Sequence, residues 1–406
     1  MLTDRWGADN DLRPYSAAMI GNDEAIVMAG VPASNMLLFH RIRFRVGDPV
    51  AIMEWGAGRD RRTRTLILRD IEMDRARAHA RADAFACPRD FEPSGGLSGD
   101  RETATAQALA ECLRRAGVRK AVADRTFPAI FAHHLTQAGI ALRCEPSLFI
   151  ADRRAKDEQE LAAMRTSQAM TERAIELACR LVARASARAD GTLMHAGEAL
   201  TSERVRGEID AFLAREGFDN PRSIVAGGPQ GGDCHHDGTG PLRTGEPVII
   251  DIFPRSKATG YWGDSTRCVV HGEVPPDVAR MHATVVRAKA AATAAVRTGV
   301  TGEAVHAATR AAIEAAGYGM GLPPSDAPAG WCGMVHGTGH GLGLDVHEPP
   351  LLDRGGPELV TGDVITIEPG LYSHAIGGIR IEDAIAVTPQ GAVNLGTGLH
   401  EGLDWT

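Results

Sequence analysis

The sequence predicts an α/β protein, with an α+β element order, in two domains. A smaller N-terminal α/β domain is expected over residues 1–153 and a larger domain over residues 154–406. Three observations carry this. A length of 406 residues makes two domains the natural starting point. The N-terminal part alternates short apolar strands with amphipathic helical stretches, the order of a small α/β unit. Residues 157–400 then run helices followed by strands, twice over and without a repeated motif, which suggests a duplicated α/β half.

In the N-terminal part, residues 25–30, 35–40, 49–54 and 65–70 read as strands. Residues 101–116 place Ala106, Leu109, Leu113 and Ala116 at helical spacing and stop at Gly117. Residues 120–124 read as a strand and 128–138 as a helix. No cluster in this part asks for chemistry.

Residues 149–156 mark the boundary. A long helix is expected over 157–187, with Leu161, Met164, Met170, Ile175, Leu181 and Val182; its methionines read as core. Residues 189–198 are glycine-bearing and polar and read as an exposed loop. A second helix is expected from Thr201 or Ser202 to Gly217. Val205, not a glutamate, stands three residues after Ser202, so the capping box is incomplete. Residues 223–236 read as a strand leaving into a glycine-rich loop that ends in His235-His236. No Gly-Lys-Ser/Thr follows, so this is not a phosphate loop. An apolar strand over 248–252 and a hairpin through 260–263 come next. Alanine-rich helices are expected over 275–297 and 301–317, then a Pro/Gly-rich loop over 321–330.

Hydrophobic content of 44% and charged content of 24% are ordinary for a globular protein. The net charge of −8 argues against a nucleic-acid partner. Basic clusters at 59–64 and 153–156 are interrupted or followed by acids and read as solvated surface. Residues 1–7 carry no apolar signal core and no stretch has the length of a membrane span. No membrane partner and a cytoplasmic location are therefore expected. The seven cysteines are scattered, with no CxxC pair, and read as reduced thiols. Cys234 and Cys332, beside the histidine motifs, read as small buried hydrophobes.

The chemistry concentrates in the last third. Asp251 interrupts the apolar run Val248-Ile249-Ile250-Asp251-Ile252, and Asp264 follows 13 residues later. His336, His340 and His347 share a glycine-spaced run. Glu368 and Glu382 each fall inside an apolar strand, over 365–370 and 379–385. Acids are rarely buried unless paired or bound to metal. Any one of these strands reads equally well as an edge strand with its acid in water. Three of them with a histidine run point to one cation site. Asp251, Asp264, His340, Glu368 and Glu382 form a hard, oxygen-rich set that suits Mn²⁺, Fe²⁺ or Co²⁺, and Zn²⁺ in a non-structural site. Four carboxylates balance two divalent cations, and such a pair can bridge a hydroxide and hold an electrophilic carbonyl or phosphoryl oxygen.

Glycines at 337, 339, 341 and 343 oppose a helix through the histidine run. In extended chain His336 and His340 point the same way, and His347, at an odd offset, is expected elsewhere along the wall. There it would hydrogen-bond substrate or transfer a proton. His235 or His236 would add a further polar wall residue. Each histidine alone reads as structural; as a set they read as functional. Arg380, two residues before Glu382, is placed to salt-bridge near the site or to meet a substrate carboxylate.

These motifs resemble the metal-dependent Xaa-Pro peptidases: aminopeptidase P, prolidase and methionine aminopeptidase, with the pita-bread fold. The resemblance covers about residues 157–400, and the N-terminal part looks like the family's smaller creatinase-like α/β domain. It rests on Asp251, Asp264-Ser265-Thr266-Arg267, the run from His336 to His347, Glu368-Pro369-Gly370 and Arg380-Ile381-Glu382-Asp383. It implies two metal ions, manganese first with cobalt, iron and zinc as alternatives. The ligands would be Asp251, Asp264, His340, Glu368 and Glu382. It implies hydrolysis of the bond before proline by a metal-bridging hydroxide, with Glu368 as the proton acceptor. His347 and His235 would be catalytic and substrate-side histidines, and His336 and Arg380 substrate-binding or supporting groups. His236 competes with His235 for the loop position. It also implies a small-peptide substrate and a homodimer. The Asp251-to-Asp264 segment is longer than is usual there and carries Pro254, Arg255, Ser256 and Lys257. Two other readings follow. The same metal site could serve a small non-peptide C–N compound or a lyase substrate, or the chain could be a binding protein without turnover.

Overall fold

The structure, a computed structural model, describes residues 21, 23–56, 62–328 and 330–406. The N-terminal stretch 1–7 and residues 59–61 of the first basic cluster lie outside the described residues. The chain separates into two compact units, Met1–Arg153 and Arg154–Thr406.

In the first unit, strands β1 (Glu24–Gly30), β2 (Val50–Trp55), β3 (Thr63–Ile67), β4 (Ala84–Ala86), β5 (Lys120–Ala123) and β6 (Ala141–Cys144) form one sheet. Its order is β4-β3-β2-β1-β5-β6. β1 is apolar throughout because both faces of the sheet are covered. Val27 faces a core with Leu109, Leu113 and Phe131; Ile26 and Met28 face a second core with Leu38 and Ile42. Among the described residues, four α-helices belong to this unit alone: α1 (Met36–Ile42), α2 (Met73–His79), α3 (Arg101–Arg115) and α4 (Ala129–Gln137).

Residues 35–40 correct the strand expectation. Asn35 caps α1, its side chain accepting from the Leu38 amide at 3.0 Å. The buried residues of that helix are Met36, Leu37, Leu38 and Ile42. A one-turn cap outweighed a run that reads as strand by composition.

A short α5 (Ile150–Arg154) precedes α6 (Glu158–Ala183). Asp157 and Glu160 form a capping box at the start of α6. α6 ends four residues before the expected Ala187. Ser186–Ala187 is instead β7, which pairs with β8 (Leu193–His195), and β8 pairs with β9 (Glu198–Ala199). The expected exposed loop is thus a small sheet, anchored by the buried Leu193. α7 (Ser202–Arg215) is capped by Thr201, whose side chain accepts from the Arg204 amide.

The first half of this unit continues through β10 (Phe218–Asp219), β11 (Ser223–Gly227), β12 (Pro247–Ile252), β13 (Arg255–Ser256) and β14 (Ser265–Val270). β12 lies between β11 and β14, antiparallel to both, and β13 pairs with β10. The second half repeats the order: α8 (Pro276–Ala295), α9 (Gly302–Ala315), then β15 (Gly319–Met320), β16 (Gly333–Met334), β17 (Gly339–Gly341), β18 (Glu348–Leu352), β19 (Val364–Ile367), β20 (Gly370–Ser373), β21 (Gly377–Arg380), β22 (Asp383–Thr388) and β23 (Gly391–Asn394). The sheets run β18-β17-β19-β22-β23 and β15-β16-β20-β21.

Strand alternation sets what faces inward. Val248, Ile250 and Ile252 pack with α6 and α7; Ile365, Ile367, Ile385 and Val387 pack with α8 and α9. The intervening positions, Asp251 and Thr366, therefore point to the opposite faces of their sheets. Among the described residues no helix is long and apolar enough to cross a membrane.

Candidate metal centre

One cavity of about 450 Å³ gathers most of the expected residues. Asp251, Asp264, Glu368, Glu382, His235, His336, His340, His347 and Arg380 all line it. His236 does not; its Nδ1 accepts from the Gly238 amide at 2.9 Å. The strands carrying the two glutamates differ from expectation. Glu368 follows the last residue of β19, and Glu382 lies in the break between β21 and β22. A carboxylate inside a continuous ladder would be fixed to one face; at a strand end it can turn into the cavity.

Asp264, His340 and Glu382 each offer a ligand atom within 4.8 Å of the others. His340 Nε2 lies 3.8 Å from Asp264 Oδ2 and 3.4 Å from Glu368 Oε1. Its Nδ1 is 3.1 Å from the Gly341 carbonyl, which can only accept. Nδ1 therefore carries the proton, and Nε2 presents a lone pair to the acids. Thr266 donates to Glu382 Oε2 at 2.6 Å and Thr366 to Glu368 Oε1 at 3.3 Å, one threonine from each half.

Asp251 is held differently. Arg380 Nη2 donates to its Oδ2 at 2.6 Å, while its Oδ1 is buried without a hydrogen-bond partner. Arg380 also donates to the Tyr372 hydroxyl at 2.9 Å, to the Cys234 carbonyl at 3.2 Å and through Nε to Thr266 at 3.2 Å. Tyr372 in turn lies 2.7 Å from His336 Nε2, and His336 Nδ1 lies 2.7 Å from the Gly337 carbonyl. His336 is thus a wall residue held at both ring nitrogens.

The electrostatics are those of crowded acids. Burial pushes the Asp264 carboxyl well above its usual range, and Glu382, Asp251 and Glu368 push it further. Glu382 is raised by burial and then by Glu368 and Asp251. Burial also raises Glu368, against the pull of His336 and Arg380. Burial lowers His336, His340 and His347. Arg380 alone cannot balance four clustered acids, three of them buried. The residues present fit divalent cations: hard donors converge, and a buried carboxylate oxygen stands without a partner.

His347 departs from its expected separate place on the wall. A register shift between His340 and Gly341 in the β17–β18 pairing brings its ring to 4.2 Å from that of His340, edge to face. Glu348, next in the chain, is buried and paired with Lys156 at 2.7 Å. The segment between Asp251 and Asp264 reaches the same loop. Trp262 donates through its amide to the Gly343 carbonyl and through Nε1 to the Leu344 carbonyl, both at 3.0 Å.

Several contacts at the site were not singled out from sequence, including those of Arg267, which was named only as the end of the Asp264 motif. Gln168 on α6 bonds both backbone groups of Asp264, at 3.1 Å each. Arg267 is buried and donates to the carbonyls of Thr266, Glu382, Leu399 and His400 and to Asp383 Oδ1. Thr366 left a signal, a polar residue at even spacing from Glu368 in an apolar strand. Gln168 and Tyr372 left none.

Residues 162–389, more than half of the chain, match metallopeptidase family M24. The chain belongs to this family. Among curated relatives, a probable dipeptidase PepE of Mycobacterium tuberculosis is 38% identical over 204 residues, 50% of this chain and 51% of that protein. A Xaa-Pro dipeptidase of Pyrococcus furiosus is 29% identical over 229 residues, 54% of this chain and 60% of that protein. The M24 chain thus spans about half the length of the curated relatives it matches. The crystal structure of dipeptidase PepE from Mycobacterium ulcerans superposes with a TM-score of 0.71 at 28% identity, over 93% of this chain and 92% of that one. An X-Pro aminopeptidase structure from Thermotoga maritima gives a TM-score of 0.75 at 22% identity, over 95% and 98%. The fold of this M24 chain is the pita-bread fold expected from the resemblance.

Proposed function

We propose that the chain is a dinuclear-metal-dependent peptidase that hydrolyses the bond preceding proline in small peptides. The observation that carries this is the convergence of Asp251, Asp264, His340, Glu368 and Glu382 on one cavity that also holds His235, His336 and His347. Those five residues would hold two divalent cations, manganese first among manganese, cobalt, iron and zinc. Bound there, the cations would supply an acidified water and a Lewis acid for the scissile carbonyl. Glu368, at the cavity wall and 3.4 Å from His340, takes the proton of the attacking water. His347 and His235, both exposed on the wall, hydrogen-bond the substrate and deliver a proton to the departing amine. We assign the loop position to His235 over His236, which is tied to its own turn. His336 and Arg380 hold the wall in place. Proline lacks an amide N–H, so its bond needs a pocket that does not depend on that donor.

A second reading keeps the metals and changes the substrate to a small C–N compound or a lyase substrate. The long segment between the aspartates favours it: β13 pairs with β10, Arg255 lies over the Trp262 ring at 5.9 Å, and Trp262 bonds the loop that leads to His347. A panel of Xaa-Pro peptides and small amides, with Mn²⁺ or chelator, separates the two. The homodimer expected from the resemblance is tested by sedimentation, and a monomer at micromolar concentration contradicts it.

A further inference from the structure

Arg380 was one candidate for meeting a substrate carboxylate, but the structure commits it elsewhere. It is buried, and its donors go to Asp251, Tyr372, Thr266 and the Cys234 carbonyl. Among the described residues the cavity has one other arginine in its lining, Arg222. Resting on the peptidase reading, we propose that Arg222 is a specificity-determining residue. It binds the free α-carboxylate of a dipeptide whose only peptide bond lies at the metal centre.

The placement follows from register. Ile224 pairs with Asp251 across the β11–β12 ladder. Arg222 directly precedes β11 and Phe253 directly follows β12, and the alternation carried one residue past the strand ends puts them on the cavity side with Ile224 and Asp251. All four line the cavity. Arg222 sits about 7 Å along the chain from the residue opposite Asp251. The carboxylate of a dipeptide lies one residue, about 3.5 Å, beyond the scissile carbonyl. The long arginine side chain spans the difference. Phe253 offers an apolar face beside it for the ring of proline.

The guanidinium is also pre-set. Arg222 Nε donates to Asp237 Oδ1 at 2.6 Å and Nη2 to the His235 carbonyl at 2.7 Å. Nη1 has no partner among the described residues. The side chain is 47% exposed, so an incoming carboxylate can reach it. A positioned fork loses less side-chain freedom on binding than a free one. Beyond the acids of the metal centre, the anionic end of a dipeptide would meet this cation, whereas a longer peptide would place a neutral amide there.

The test uses the metal-loaded protein with Leu-Pro, Leu-Pro amide and Leu-Pro-Gly. The wild type is expected to favour Leu-Pro over its amide by roughly 10- to 100-fold in kcat/KM, carried mainly by KM. Arg222→Gln should collapse that ratio towards one, and Arg222→Lys should keep part of it. Because Arg222 also touches the His235 carbonyl, its loss can lower turnover of every substrate. The ratio between the two peptides is insensitive to such a general loss. Equal cleavage of acid and amide by the wild type overturns the inference, as does a preference that survives in Arg222→Gln. Cleavage of none of the three, with metal bound, overturns the peptidase reading itself.

Discussion

Arg380 and Asp251 form a buried pair in which only one carboxylate oxygen is engaged. The 2.6 Å bond goes to Oδ2 and leaves Oδ1 without a partner. The arginine thereby orients the acid without using its second oxygen. Arg380→Lys keeps the charge but loses the fork, and with it the contacts to Tyr372, Thr266 and the Cys234 carbonyl. We expect metal affinity to fall about 10- to 100-fold, read by calorimetric titration with Mn²⁺. Unchanged affinity would mean that Asp251 is held by something else.

The crowded acids predict a pH dependence of the metal-free protein. Asp264, Glu368 and Glu382 have folded pKa values above those of the unfolded chain, near 4. The folded state then holds more protons than the unfolded one above pH ~4, so stability falls as pH rises through the raised values. The lowered histidines act oppositely, with stability lost as pH falls below about 6.5. Glu382→Gln isolates the carboxylate contribution. In chelator it should raise Tm at pH 8 more than at pH 5, and it should abolish high-affinity metal binding. An equal shift at both pH values would contradict the repulsion described.

Gln168 predicts an effect at a distance in sequence. It bonds the amide and carbonyl of Asp264 and the Ser265 hydroxyl. Gln168→Leu leaves those buried groups unpaired, at a cost of about 1–3 kcal/mol in stability. Peptide turnover should fall with it, and addition of Mn²⁺ should recover less Tm than in the wild type.

Lys156 and Glu348 form a pair with side chains 1% and 3% exposed, directly after His347. Lys156→Met removes the cation that balances a buried carboxylate and should cost about 3–5 kcal/mol. Lys156→Met with Glu348→Leu should recover most of that loss in chemical denaturation. A double variant no more stable than the single one would refute the pairing as the cause.

Much of this was legible in the sequence because it was local. Val248 to Ile252 read as a strand with a misplaced acid, and the structure puts Asp251 on the cavity side of β12. The histidines, too, were visible as a run. What failed was local competition and long-range contact. Residues 35–40 have strand composition, yet Asn35 caps a helix there. The parity argument put His347 apart from His340, but it assumes an unbroken ladder, and the register shift after His340 invalidates it. Gln168 reaches Asp264 across 96 residues, and Tyr372 joins Arg380 to His336 by folding alone. No spacing rule encodes either.

Metal-dependent cleavage before proline is directly measurable. The most direct measurement is mass spectrometry of an Xaa-Pro dipeptide panel, with matched Xaa-Ala controls, after incubation with Mn²⁺-loaded protein and with chelator. The expected result is cleavage of the Xaa-Pro peptides alone, lost in chelator and in Asp264→Ala. Metal bound at the centre with no Xaa-Pro peptide cut, or cleavage that survives chelation, would contradict it.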